Sequence, residues 1–121
     1  MARDAVTITT VALNAETAEP AGTAVTPANG QSIAAGGDTR GLLIRLACTA
    51  AGGCTFTFQS GSKPPAETAS AGDLAVTMAN GDESWVALEG ARFVQSDGSI
   101  YIDNGGSDTG TVQAFRVAQG G

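Results

Sequence analysis

The sequence contains no histidine. That removes the commonest general base at neutral pH and the commonest side-chain ligand for transition metals. Only two cysteines are present, Cys48 and Cys54, and two thiols alone do not complete a structural zinc site. Basic residues are scarce: Arg3, Arg40, Arg45, Lys63, Arg92 and Arg116 stand against 12 acidic residues, for a net charge of −6. That balance argues against a nucleic-acid groove, which needs clustered cations to displace counterions. It also disfavours an anionic membrane surface. Long apolar runs are missing. The longest, LLIRLACTAA, is broken by Arg45 and falls far short of a bilayer-spanning helix. The opening MARDAVTITT lacks an apolar stretch of signal-peptide length, so synthesis in the cytoplasm is expected. There is no G-x-S-x-G elbow and no Walker loop, and the Ser and Thr residues have no histidine to activate them. Neither catalysis nor a cofactor or metal is expected.

What remains is a chain of 121 residues, enough for one domain, 1–121. Its apolar fraction of 42% is largely alanine, and the large aromatics are four Phe, one Trp and one Tyr. The core is therefore expected to be thin. Gly, Ala and Thr dominate, with apolar residues at alternate positions and turn residues every 8–12 residues or so, the spacing of a sandwich or barrel. The pattern predicts an all-β fold: a single antiparallel β-sandwich, jelly-roll or Ig-like, of about eight short strands. Residues 1–35 read as an N-terminal strand (Ala5–Leu13) followed by an extended arm carrying Pro20 and Pro27, with a brief pairing at SIAA. Residues 36–121 read as the sandwich core.

Gly41–Thr49 is the best core strand. The TAAGG loop after it suggests a hairpin into Cys54–Ser60. If Cys48 opposes Cys54, then Leu46 opposes Phe56, Ile44 opposes Phe58, and all six point to one face. The two cysteines then read either as small buried hydrophobes or as a cross-strand disulfide formed outside the reducing cytoplasm. Further strands are expected at Leu74–Met78, Ser84–Glu89, Ala91–Gln95, Ser99–Asp103 and from Thr109 onward, with tight turns at Asn80-Gly81 and Asp97-Gly98. Lys63-Pro64-Pro65 sits in a rigid, exposed loop.

Chemistry-bearing residues each have a plain structural alternative. Asp103, Asn104, Ser107 and Asp108 put oxygen ligands on a glycine-rich loop, but their spacing fits no calcium loop and Asn-Gly-Gly is first a turn. Asp82 and Glu83, with Asp73 and Glu89, resemble a carboxylate pair only in sequence, because neighbours in a turn are ordinarily solvated. Alternation sets Val86 and Leu88 on one face and Trp85 on the other. Trp85 then lies outside, available to a partner or a sugar, unless a second layer covers it. Tyr101 and Arg92 share that ambiguity.

Two stretches carry a family resemblance. PAGTAVTPANGQSI (Pro20–Ile33) leads into an apolar strand. GDLAVTMANGDESWVALEGARFVQSDGSIYID (Gly72–Asp103) is closed by GTVQAFRV (Gly110–Val117). This order resembles small virion proteins of tailed phages, mainly of actinobacteria, read as capsid decoration (cement) or minor head proteins. The resemblance implies a structural protein on the capsid exterior that binds the major capsid protein, as a homotrimer, with no nucleic-acid or membrane partner. It transfers no catalytic residues. The expected contact residues are Val6, Ile8 and Val11 in the first strand, Pro20 and Pro27 in the arm, Lys63, Pro64 and Pro65 in the loop, and Trp85. A tail, neck or fibre-associated virion domain and a carbohydrate-binding β-sandwich are the competing readings.

Overall fold

The computed structural model describes residues 3–26, 29–36, 40–61, 72–88 and 93–117. Every element it sets out is a strand: β1 (Asp4–Val6), β2 (Ile8–Val11), β3 (Thr23–Ala24), β4 (Gln31–Ile33), β5 (Leu42–Cys48), β6 (Cys54–Phe58), β7 (Leu74–Met78), β8 (Glu83–Val86), β9 (Ile100–Asn104) and β10 (Gly110–Val117). They form two sheets packed as a β-sandwich. The first runs β1-β4-β9-β6-β7. The second runs β2-β10-β5-β8, with β3 also paired to β10.

The core follows from alternation. Along β5 the even positions Leu42, Ile44, Leu46 and Cys48 are buried while Leu43, Arg45 and Ala47 are half-exposed. On β6 Cys54, Phe56 and Phe58 point inward. Ile33, Ile100, Ile102 and Val112 complete the layer, all at 0% exposure. Each such side chain contributes roughly 1.5–3 kcal/mol by leaving water.

The structure departs from the sequence reading in the pairing. β5 and β6 are not a hairpin. β5 pairs with β10 and β8, whereas β6 pairs with β7 and β9 in the opposite sheet. The six residues thought to pair across a hairpin do share a buried environment, but they meet across the sandwich. Residues 49–53 are a crossing between sheets, and the Asn80-Gly81 turn is another, from β7 to β8. There Gly81 donates to the Cys48 carbonyl at 2.8 Å and Asp82 Oδ2 accepts from the Ala79 amide at 3.0 Å. Cys48 and Cys54 form a disulfide with Cα atoms 6.0 Å apart, joining the sheets beside this crossing.

The sheets are also mixed rather than purely antiparallel. β1 runs parallel to β4 and β2 runs parallel to β10. The chain changes sheet at Thr7, between the two. The described part of residues 1–35 is therefore built into both sheets instead of standing off as an arm. Val6, Val25, Ile33 and Ala35 are core residues. The longest stretch of that part without a strand is residues 12–22. The strand expected at Ala91–Gln95 is not found over its described part: Phe93–Gln95 are outside any strand, with Phe93 buried, and Ala91 and Arg92 lie outside the described residues. Gln95 instead opens the Asp97-Gly98 turn, its amide donating to the Ser99 carbonyl at 2.8 Å.

Gly110 shows why one position tolerates no side chain. Its φ is 147°, and a Cβ there would collide with the Ala47 backbone carbonyl on β5. Glycine lets β10 begin in close register with the end of β5.

Candidate functional site

The outer face of the second sheet carries the most distinctive surface of the molecule. β5 presents Leu43 and Arg45 outward, β10 presents Gln113, Phe115 and Val117, and β8 presents Glu83 and Trp85. Trp85 stands beside Arg45 in register and is 57% exposed. Its ring lies 5.7 Å from that of Phe115, inclined by 38°. Phe115 itself is buried although it points away from the core, because its neighbours on this face cover it.

Residues 12–22 fold back over the same face. Gln113 Nε2 donates to the Pro20 carbonyl at 2.6 Å, and its Oε1 accepts from Arg45 Nη1 at 2.7 Å. Both ends of this buried amide are thus used. Arg45 also pairs with Glu83 at 2.6 Å and approaches Glu19 at 3.7 Å. A groove of about 260 Å³ lies between the returning segment and Trp85, with Thr17 and Glu19 on one wall and Leu43, Arg45 and Phe115 on its floor.

The expected contact residues separate on this geometry. Val11 and Trp85 both line the groove. Pro20 is half-buried and serves through its carbonyl. Val6 is a core residue at 5% exposure and Ile8 packs against the core. Val6 is a correction to the contact set, because the strand register buries it, whereas Ile8 faces the same way but stays half-buried. Pro27, Lys63, Pro64 and Pro65 lie outside the described residues. Arg45, Glu19 and Phe115 were not singled out in the sequence. Outward parity on β5 and β10 was legible, but nothing local shows that these strands are neighbours.

The suspected oxygen clusters are dispersed. Asp108 Oδ2 accepts from the amides of Gly105 and Thr55 at 2.7 and 3.3 Å. Asn104 Oδ1 accepts from the Gly30 amide and Gln31 Nε2, and Asp103 pairs with Arg3 at 2.7 Å. Asp82 caps its own turn, Asp73 accepts from the Ser60 amide at 2.7 Å, and Glu83 serves Arg45; Glu89 lies outside the described residues. No group of three His, Cys, Asp or Glu that could hold a metal ion occurs among the described residues. At one end of the core, Asp4 Oδ2, Asn29 Oδ1 and Gln31 Oε1 are buried without a donor among the described residues. Such oxygens are ordinarily met by ordered water.

On the outer face of the first sheet, Tyr101 donates to Asp97 Oδ2 at 2.7 Å, beneath the Arg3 guanidinium at 4.9 Å. This hydrogen bond, with one from the Ser99 amide, holds the Asp97 carboxyl below its ordinary range and raises the Tyr101 phenol.

No protein-family model, curated protein or solved structure matches this chain.

Proposed function

We propose that the chain is a virion structural protein of a tailed phage, a capsid decoration protein that binds the outer surface of the major capsid lattice and strengthens capsomer junctions. The order of motifs from Pro20 to Val117 supports this reading by resemblance. The single structural observation that supports it is an exposed apolar edge where β2 ends: Leu13 is 52% exposed, just beyond the Val11–Val117 register pair, and Val117 is 38% exposed. A lattice multiplies one small contact into strong avidity. Homotrimers at local three-fold positions would suit such a lattice. The net charge of −6 would keep a high-copy protein soluble and away from packaged DNA. Lys63, Pro64 and Pro65 are proposed as a second contact segment.

Copy number is the test. Quantitative mass spectrometry of purified particles is expected to give this chain in near-equimolar ratio to the major capsid protein. Leu13→Asp is expected to lower its occupancy without changing its melting temperature. A handful of copies per particle would move the protein to the neck, tail or fibre. Its absence from particles would overturn the virion reading.

A further inference from the structure

We infer that the groove between Trp85 and Glu19 is a binding site for a single neutral pyranose ring. This inference does not rest on the virion reading. Four observations meet at this one place.

First, the indole is exposed on the edge strand β8 and supported by Phe115 at 5.7 Å. A large apolar face held open to water at an edge strand is a platform for a flat apolar ligand surface. The C–H face of a pyranose is such a surface. Second, the polar groups beside it are arranged for hydroxyls. Arg45 holds Glu83 at 2.6 Å and stands 3.7 Å from Glu19, yet the two carboxylate side chains remain 61% and 63% exposed. Glu19, which lines the groove, keeps acceptor capacity for a sugar hydroxyl, and the Arg45 guanidinium, with five donors and anchored by Glu83, stands beside it. Preorganised polar groups around an apolar floor are the ordinary composition of a small-ligand site.

Third, the groove's size suits a small ligand. At about 260 Å³ it falls below the roughly 300 Å³ at which drug-sized pockets begin. One ring fits. Fourth, charge selects further. Glu19 on the groove wall and Glu83, beside Arg45 just outside the groove, outnumber the one guanidinium there, on a chain whose net charge is −6. Sialic or uronic acids would be repelled, whereas neutral hexoses would not.

Trp85 is the lone tryptophan, so fluorescence excited selectively at tryptophan reports on this groove. The full chain is titrated with the methyl glycosides of glucose, galactose, mannose and N-acetylglucosamine, with methyl glucuronide as the anionic control. At least one neutral glycoside is expected to give a saturable change with a Kd on the order of 1 mM. Methyl glucuronide is expected to bind at least about tenfold more weakly. Glu19→Gln keeps the fluorophore and is expected to weaken binding about tenfold. Trp85→Ala is read by saturation-transfer NMR and is expected to abolish it, with chemical-shift dispersion confirming the fold. No saturable response from any neutral glycoside up to about 50 mM overturns the proposal. So does binding that survives Trp85→Ala, or a response to apolar peptides alone. Neither result alters the particle copy number, so this site and the virion reading fail separately.

Discussion

Two hydrogen bonds to Asp97 make one surface of this molecule responsive to pH. Asp97 accepts from the Ser99 amide at 2.9 Å and from the Tyr101 phenol at 2.7 Å. Both bonds favour the ionised carboxylate, and the Tyr101 bond is the larger cause of its lowered pKa. A carboxylate depressed on folding contributes stability above its ordinary pKa and loses it as pH falls through the folded value. The phenol is raised, mainly by the same bond. Its contribution is complete below the ordinary tyrosine pKa and is lost as pH rises through the folded value. Tyr101→Phe is expected to return the Asp97 carboxyl toward the ordinary aspartate range, measured by carboxyl-carbon NMR titration. An unchanged Asp97 titration would mean that the phenol bond is not populated in solution. The turn holding Asp97 was legible, because Asp-Gly followed by Ser is turn chemistry with φ of 85° at Gly98. The outward placement of Trp85 was legible as well, from the parity of Val86 and Leu88, which pack against the core. What surrounds Trp85 was not. Phe115 and Arg45 reach it from strands 30 and 40 positions away in the chain, and alternation specifies a face, not a neighbour.

At the scale of elements the same limit explains the misread hairpin. Cys48–Thr49–Ala50–Ala51–Gly52–Gly53–Cys54 has the length and glycine content of a hairpin loop, and inward parity on both sides agrees with one. An inter-sheet crossing satisfies the same pattern, since both strands still turn alternate residues to one core. The deciding facts are the partners β10 and β8 on one side and β9 and β7 on the other, and of these only β7 follows its partner directly in the chain. The crossing changes what the disulfide does. It ties two sheets rather than two paired strands, next to the Thr49 to Thr109 backbone bond of 2.9 Å that carries the chain toward β10. Closing so short a loop is worth about 2 kcal/mol through the unfolded chain. Reduction, or Cys54→Ser, is expected to lower the melting temperature by roughly 5–10 °C. The reduced protein is still expected to fold, because Cys48 and Cys54 sit in an apolar layer that small thiols fill well. Calorimetry with and without reductant measures this. Equal melting temperatures, with thiol labelling confirming reduction, would show that the tie adds nothing to the packed sheets.

For the whole molecule, what matters is how the two chain ends are woven together. β2 lies parallel to β10 through four registered pairs, from Ile8–Ala114 to Val11–Val117. β1 forms an edge of the other sheet against β4. The first 11 residues thus supply edge strands to both sheets, and Val6 enters the shared core. Consecutive strands change sheet repeatedly, from β1 to β2, at every step from β3 to β6, and at every step from β7 to β10. Few contacts are local, and such a topology folds slowly. The sequence suggested otherwise. Residues 14–30 are poor in large side chains and carry two prolines, which reads as an arm when burial is judged by residue size. In fact β3 is only two residues long and holds its place by pairing with Thr111 and Val112, a contact that hydrophobicity does not announce. The two pictures predict opposite outcomes for one deletion. If residues 2–20 were an arm, removing them would leave a folded core that had lost only its binding. In this structure the deletion removes β1, β2 and the wall over Gln113. It exposes the unpaired edges of β4 and β10 and takes Val6 from the core, a loss well beyond the few kcal/mol that a marginal domain can spare. The truncated chain is expected to be unfolded or aggregated, without cooperative melting by circular dichroism and without dispersed amide signals by NMR. A truncated chain that melts cooperatively within a few degrees of the full protein would show that the sandwich closes without its first strands. The segment would then be free to act on a partner.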